Sequence, residues 1–348
     1  MLTQPPILIN ARCFSRPVTG VERYAREISA RLQDVEGMAQ PPRFLRGPAG
    51  QLWEQAILPL QARGTVLWSP ANTGPLAISQ QAVSIHDLGP LDHPEWYAAS
   101  FARWYAWLWP RLLKKAGRVL TDSEFSRRRL LQRFDLPPEK IAVVPVGVDG
   151  QVFRPQPEEA RAAVRQAFSL EGPFVLFTGS LQPRKNLAGL ASAWSRLRGL
   201  HPEWTLAIAG DTGKQFGEAQ LQPGPGLQLL GRVPDAQLPG LYAAASVFVQ
   251  SSFYEGGGLT VLEAMSCGTA VAAAGNTALP EYTGEAALLF DPHDPAGMRD
   301  ALDRLISGRE LRQQLARRGI ERAQEFSWAR AAAGVQGVLD TIRLPASP

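Results

Sequence analysis

The stretch FYEGGGLTVLEAMSCG, residues 253–268, combines acid, glycine and a helical pattern more closely than any other part of the chain. Glu255 precedes a glycine triplet, and Glu263 lies in the apolar helical run that follows it. Free N–H groups and the positive end of a helix dipole attract an anion at a helix start. Glycines let a ligand approach closely because no Cβ covers the backbone. A diphosphate would fit at this loop.

The two glutamates are too far apart to share one proton, since Glu263 follows Glu255 by about two helical turns. We interpret them as acceptors for hydroxyl groups at different parts of one extended ligand. A nucleotide sugar has that form, with Glu255 at the sugar, the glycines at the diphosphate and Glu263 at the ribose. The plainer alternative is a glycine-loosened turn followed by a solvated helix glutamate. The coincidence of all these parts favours the ligand.

The longer stretch FYEGGGLTVLEAMSCGTAVAAAGNTALPE resembles the signature of the retaining glycosyltransferases called glycosyl transferases group 1, or family 4, which have the GT-B fold. The resemblance covers most of the chain and is most specific in residues 174–291. The matching positions are Glu255, Glu263, Ala264, Cys267 and Gly268. The family often has phenylalanine where this chain has Gly257. The donor contacts that the resemblance implies here are Gly256, Gly257, Gly258, Leu259 and Glu263.

The loop TGSLQPRKN, residues 178–186, follows a predicted strand and supplies two cations, Arg184 and Lys185. Such a pair is usually only solvated. Its place after a strand, in the same half as the glycine triplet, favours a role in binding the diphosphate. By resemblance, Arg184 and Lys185 neutralise the leaving diphosphate, and Glu255 completes the catalytic set. The resemblance also places Arg232 and Val233 beside the nucleotide base.

In the first half, the segment SIHDLGPLDHPEWY ends a predicted strand with His86 and Asp87. A lone histidine there is more often structural, but the resemblance makes His86 a contact of the transferred sugar and a catalytic residue. Asp87 then orients His86 or caps the next turn. Gly20 matches a family loop near the donor phosphate or the acceptor, although this chain has one glycine where the family has two. Ser123 and Arg127 start a helix that the family uses on the acceptor side.

These motifs need loops that follow parallel strands. Apolar runs alternate with helical patterns, and the runs are continuous, which predicts parallel strands covered on both faces. The class is therefore α/β with doubly wound, Rossmann-like sheets. The predicted strands are 7–10, 65–69, 82–86, 118–121, 141–145, 174–178, 205–210, 227–231, 247–250, 270–274 and 287–290. The predicted helices include 21–36, 97–116, 123–134, 186–199, 235–244, 259–266, 295–306 and 309–324.

The pattern restarts after a segment rich in proline, glycine and charge, residues 145–159, which reads as a linker. We expect an N-terminal acceptor-binding domain at 1–150 and a nucleotide-sugar-binding domain at 151–327, facing each other across a cleft. By resemblance, a last helix at about 328–348 packs back on the first domain.

Composition limits the function classes. The net charge is +4 with a pI near 9.3, but no nucleic-acid-binding motif accompanies it. Two distant cysteines and four histidines leave little material for a metal site, so we expect no metal and no cofactor. No signal peptide or membrane span is evident, which predicts a cytoplasmic protein. The aromatic and basic helix at 95–118 is equally compatible with packing and with peripheral contact at the inner membrane face.

Together these observations predict a retaining, metal-independent hexosyltransferase of surface-polysaccharide assembly. We expect GDP-mannose as the donor, with dTDP-rhamnose or a UDP-sugar as alternatives. The expected acceptor is a hydroxyl of a saccharide or of a lipid-linked glycan. A nucleotide-sugar epimerase or an inactive nucleotide-sugar-binding protein remain as rivals from other classes.

Overall fold

The computed structural model describes residues 4–47, 49–211 and 224–343. The ends of the expected first domain and of the expected last helix, residues 1–3 and 344–348, lie outside the described residues. Within the described parts, the strands form two sheets, and all their pairings are parallel. The predicted α/β class with two doubly wound sheets is confirmed.

The first sheet has the order β2-β1-β3-β4-β5-β6, and the second has the order β12-β11-β10-β7-β8-β9. The strands are β1 (Ile7–Asn10), β2 (Val35–Ala39), β3 (Val66–Ser69), β4 (Gln81–Ser84), β5 (Arg118–Thr121), β6 (Ile141–Val143), β7 (Phe174–Thr178), β8 (Thr205–Ala209), β9 (Leu227–Gly231), β10 (Val247–Gln250), β11 (Ala270–Ala274) and β12 (Ala287–Phe290). The central strands are buried along their whole length, as continuous apolar sequence requires.

Helices connect the strands. They are α1 (Gly20–Ser29), α2 (Ala49–Ala56), α3 (Leu58–Gln61), α4 (Gly89–Asp92), α5 (Ala99–Lys115), α6 (Glu124–Arg133), α7 (Glu158–Ala167), α8 (Leu187–Leu197), α9 (Leu238–Ala244), α10 (Leu259–Ser266), α11 (Leu279–Thr283), α12 (Pro295–Ser307), α13 (Arg309–Ala323) and α14 (Trp328–Arg343). Among the described residues, none of these helices is long and apolar enough to cross a membrane.

The chain divides into two compact units. Unit 1 comprises Met1–Asp92, Ser100–Gly147 and Trp328–Pro348, as far as these ranges are described. Unit 2 comprises His93–Ala99 and Val148–Ser327. The short segment His93–Ala99 therefore groups with unit 2, although the sequence places it within the first of the two expected domains.

One predicted helix is too long. The sequence favours a helix over 21–36, but α1 ends at Ser29 and the edge strand β2 begins at Val35. Asp34 adopts a left-handed conformation with φ of 55°, which redirects the chain into the strand. The partly exposed strand β2 lacks the continuous apolar run by which the central strands were recognised.

The expected linker at 145–159 also ends earlier than predicted, because α7 already begins at Glu158. Pro157 precedes the helix, and two glutamates occupy its first turn, where they complement the helix dipole. Val164 is the only residue of this helix that is buried, so its apolar face is narrow and its sequence resembles a charged linker.

The last helix, α14, packs within unit 1 against α1 and the strands β3, β4 and β5. Its buried face includes Val335 and Leu339. Two glycines of this helix meet different surroundings. A Cβ added at Gly334 would lie 3.0 Å from Cγ1 of Val144, whereas a Cβ at Gly337 would meet nothing within 4 Å.

We expect Gly337→Ala to stabilise the protein by about 0.5–1 kcal/mol, because alanine favours the helix and the site is open. Gly334→Ala gains the same propensity but crowds Val144, at a cost of about 1–3 kcal/mol. Urea unfolding of the two variants measures the difference directly. Equal stabilisation by both substitutions would contradict the packing of α14 at Val144.

Candidate functional site

The loops after β7 and β10 meet because these strands are neighbours in the second sheet. A short 3-10 turn, Pro183–Lys185, follows β7 and presents Arg184 and Lys185. Glu255, in the loop after β10, binds both cations. Arg184 Nη1 lies 2.8 Å from Glu255 Oε2, and Lys185 Nζ lies 2.6 Å from Oε1. Three residues predicted from two separate motifs are thus brought together.

Neutral donors complete the surroundings of the same carboxylate. Ser252 Oγ and Gln250 Nε2 donate to Glu255 Oε1 at 2.6 and 2.7 Å. Burial works to raise the pKa of the Glu255 carboxyl, but Lys185 and Arg184 outweigh it and lower that pKa from 4.5 to about 2. The group is therefore ionised near neutral pH, and its charge is balanced by two cations.

The glycine triplet leads directly into α10, which begins at Leu259. Gly256 and Gly258 are buried, and Gly257 is partly exposed. Gly258 is the N-cap residue, and a Cβ there would lie 2.3 Å from Cγ of Tyr282. Packing against Tyr282 therefore demands glycine at this position. Glycine has no side chain that could cap the first turn of α10. The backbone N–H groups of that turn therefore suit an external acceptor.

Glu263 lies within α10 and is buried. Tyr242 Oη donates to Glu263 Oε2 at 2.8 Å, and Tyr242 Oη also contacts Thr178 Oγ1 at 2.7 Å. Burial and the Glu263 charge raise the pKa of Tyr242 well above its usual value, so the phenol keeps its proton. Glu263 is held in a hydrogen-bonded chain that reaches the end of β7.

Arg232 and Val233 follow β9, which is separated from β7 by β8. Arg232 is exposed and Val233 is buried. The structure thus places these two residues on the same sheet as the Glu255 cluster, but two strands away from β7.

In unit 1, His86 ties three strand ends together. Its Nδ1 lies 2.8 Å from Oδ2 of Asp122, which follows β5, and its Nε2 lies 2.8 Å from the carbonyl oxygen of Pro70, which follows β3. A carbonyl only accepts, so Nε2 carries a hydrogen, and the Nδ1–Asp122 contact shares one further proton. Burial opposes a charge on His86, but Asp122 prevails and raises the pKa of the imidazole.

The remaining unit 1 candidates have local roles in the structure. Asp87 Oδ1 accepts from the Gly89 N–H at 2.9 Å and so caps the next turn. Ser123 is the N-cap of α6, and its side chain accepts from the Ser126 N–H. Arg127 forms an ion pair with Glu124 at 3.3 Å. Gly20 is the exposed first residue of α1.

Sequence reasoning missed several polar partners. Asp122, Tyr242, Gln250 and Ser252 were not among the predicted site residues. Gln250 is the last residue of its strand and Ser252 follows closely, so a polar pair ending an apolar run was the available signal. Tyr242 gave no such signal, because its contact with Glu263 depends on how α9 and α10 pack.

A buried polar cluster at the ends of β1 and β3 was also missed. Glu54, fully buried, accepts from Asn10 Nδ2 at 2.7 Å, from Arg12 Nε at 3.1 Å and from Thr73 Oγ1 at 2.9 Å. These contacts fix the loop that leads from β1 toward Gly20.

Two family models match the chain. Residues 160–322 match the model described as Glycosyl transferases group 1, and residues 73–152 match the one described as Glycosyltransferase Family 4. The O-antigen chain mannosyltransferase B of Escherichia coli is 31% identical over 261 residues, which cover 73% of this chain and 68% of the relative. The chain belongs to the glycosyl transferases group 1 family.

Solved structures of other proteins share the fold of this glycosyltransferase. A sucrose-phosphate synthase from Thermosynechococcus elongatus superimposes with a TM-score of 0.75 at 20% identity, covering 97% of this chain and 99% of that one. Anabaena HepE, solved in complex with UDP-glucose, has a TM-score of 0.73 at 18% identity, with 97% and 99% coverage. These similarities establish the GT-B architecture of the glycosyltransferase.

Replacing Glu255 with glutamine tests the charge balance of the site. We expect Glu255→Gln to lower the free energy of unfolding by about 3 kcal/mol at pH 7, because two partly buried cations lose their carboxylate. The wild-type advantage exists above about pH 4.5, the usual pKa, and is lost as the pH falls toward the folded-state pKa of about 2. Urea midpoints of the wild type and of Glu255→Gln at pH 7 and pH 3 measure this difference in stability.

Glu171→Gln, at an exposed position before β7, is the matched control and should change neither midpoint appreciably. A gap for Glu255→Gln that is the same at both pH values would contradict the ion-pair assignment.

Proposed function

We propose that this glycosyltransferase is a retaining, metal-independent hexosyltransferase that transfers mannose from GDP-mannose. The observation that carries the proposal is the buried cluster of Glu255, Arg184 and Lys185 beside the glycine-started helix α10. Two cations and a helix N-terminus suit a diphosphate leaving group, whose developing charge they stabilise. The mannosyltransferase relative supports mannose as the sugar.

Glu255 has a defined part in this proposal. Its carboxylate binds Arg184 and Lys185, the two cations proposed to bind the diphosphate. An incoming diphosphate competes for those donors and leaves Glu255 oxygens available to sugar hydroxyls. Glu263 is then the acceptor for the ribose. The acceptor hydroxyl attacks the front face of the sugar, and the leaving diphosphate takes its proton.

The part of His86 also stays a prediction. Because both ring nitrogens are engaged, by Asp122 and Pro70, a hydrogen bond between this ring and a sugar requires the exchange of one partner. Metal independence likewise stays a prediction. The described residues hold no group of three histidine, cysteine or acidic side chains with the geometry of a metal site.

The alternative donors are dTDP-rhamnose and UDP-sugars, and HepE, which was solved with UDP-glucose, supports keeping the latter. We expect GDP-mannose to raise the melting temperature more than UDP-, dTDP- or ADP-sugars do, because ligand binding stabilises the folded state. Lys185→Ala should abolish the shift, while Arg309→Ala, an exposed cation of α13, should keep it. A larger shift with another nucleotide sugar would indicate that this sugar, and not GDP-mannose, is the donor.

Product analysis separates the rival classes. Incubation with GDP-mannose and a mannose-terminated oligosaccharide should give an elongated product with retained anomeric configuration. An epimerised nucleotide sugar formed without acceptor would indicate an isomerase, and donor binding without any product would indicate an inactive binding protein. Either result would contradict the proposal.

We further propose that the acceptor is a lipid-linked glycan reached through α5. This helix carries no acidic residue, and its exposed face presents Trp107 with four cations. Arg111 lies over the Trp107 ring at 5.0 Å, and Trp104 stacks on Trp107 at 5.2 Å. The four cations are Arg103, Arg111, Lys114 and Lys115. Aromatic side chains with interleaved cations suit an anionic lipid interface.

A cavity of 730 Å³ adjoins this face between α5 and α6. Its lining combines apolar Pro110 and Phe134 with basic Lys114 and Arg133 and with acidic Asp135, and Arg133 also lies 3.6 Å from Asp92. This composition would accommodate an apolar chain and a phosphate together.

Vesicle binding tests this contact. We expect the protein to sediment with vesicles containing phosphatidylglycerol and not with pure phosphatidylcholine. Lys114→Glu combined with Lys115→Glu should weaken binding by at least about tenfold, since each basic residue near the surface contributes about 1 kcal/mol. Trp107→Ala should also weaken it, whereas Phe44→Ala, at another exposed aromatic position, should not. Equal binding to both vesicle types would contradict an anionic lipid contact.

A further inference from the structure

The segment His93–Ala99 belongs to unit 2, although the sequence around it belongs to unit 1. It begins with a 3-10 turn, Pro94–Trp96, which is closed by a hydrogen bond from the Trp96 N–H to the His93 carbonyl at 3.1 Å. This turn brings the two side chains face to face. The His93 and Trp96 rings are 3.9 Å apart between centroids, with 14° between their planes.

The stacking continues onto the loop that carries Glu255. Trp96 stacks on Phe253 at 6.3 Å and 20°, and Phe253 stacks on His293 at 4.8 Å and 25°. We call His93, Trp96, Phe253 and His293 the aromatic ladder. Tyr254 meets the His93 ring edge-on at 5.5 Å and 73°. Both offset stacks and edge contacts are favourable geometries for aromatic rings.

The backbone of the same two loop residues is bonded to the cationic turn. The Phe253 N–H donates to the Arg184 carbonyl at 2.8 Å, and Arg184 Nη1 donates to the Tyr254 carbonyl at 3.0 Å. Asn276 Nδ2 also donates to the Phe253 carbonyl at 2.7 Å. A displacement of Phe253 and Tyr254 would therefore move Arg184 and the adjacent Glu255 together.

We infer that Trp96 is a positioning residue for the donor site, because its stacked indole holds the loop that carries Glu255. The inference rests on the proposed function of that site. Trp96 and Phe253 are partly exposed and His293 is exposed, so the aromatic ladder lies on the surface of unit 2. Stacking of this kind fixes the orientation of a loop and adds little to the core.

The test compares Trp96→Ala with the conservative Trp96→Phe and with Phe44→Ala, a control for loss of an exposed aromatic side chain in unit 1. One measurement is hydrogen–deuterium exchange of residues 251–258 in the ligand-free protein. The other is the affinity for GDP-mannose by calorimetry, followed by its KM and kcat in transfer to a soluble oligosaccharide. Thermal melting of each variant reports whether the fold is kept.

We expect Trp96→Ala to speed exchange at 251–258 and to weaken GDP-mannose binding by about 3- to 10-fold, the loss of one or two aromatic contacts. In the transfer assay, the weaker binding should appear mainly as a higher KM. Trp96→Phe should recover most of the lost affinity. Phe44→Ala should change neither measurement.

Unchanged exchange at 251–258 in Trp96→Ala would overturn the inference. Faster exchange with unaltered GDP-mannose affinity would overturn it too, because the ladder would then be structural only. If the wild type binds no nucleotide sugar at all, the proposed function fails, and the role of Trp96 as a positioning residue for a donor site is overturned with it. The exchange measurement then still reports, separately, whether Trp96 orders the loop.

Discussion

The ion-pair cluster of Glu255, Arg184 and Lys185 is the interaction on which the loops of the candidate site in unit 2 depend. Each of these charges is largely removed from water, so each is stable only while the other two remain in place. The cluster joins the ends of two adjacent strands, β7 and β10. The cluster consequently fixes the loops around it, which is the preorganisation that the proposed electrostatic catalysis requires.

Much of the fold could be predicted from the sequence because the central strands are apolar along their whole length. Every strand of the second sheet was predicted from its apolar run. The predicted bounds of α10 agree with the observed ones. Two of the failures were elements without a wide apolar face. The edge strand β2 is half exposed, and α7 buries little more than Val164. Their conformation is decided by neighbours distant in sequence, which local patterns do not report.

The same distinction applies to the candidate site. Glu255, Arg184 and Lys185 could be identified because each follows a strand, and parallel strands bring their carboxyl ends to one edge. That they bind one another, and that His86 bonds Asp122 and Pro70, could not be predicted. These contacts depend on loop conformations and side-chain directions. The requirement for glycine at 258 became clear only when Tyr282 was seen against it.

The position of α14 has a consequence for biosynthesis. Unit 1 is composed of residues from both sides of unit 2 in the sequence, because Trp328 and the residues after it return to it. During translation, the chain of unit 2 is therefore complete while unit 1 still lacks a helix that covers β3, β4 and β5. Unit 1 therefore starts to leave the ribosome before unit 2 but finishes folding after it. Its sheet retains an uncovered apolar surface until α14 is made.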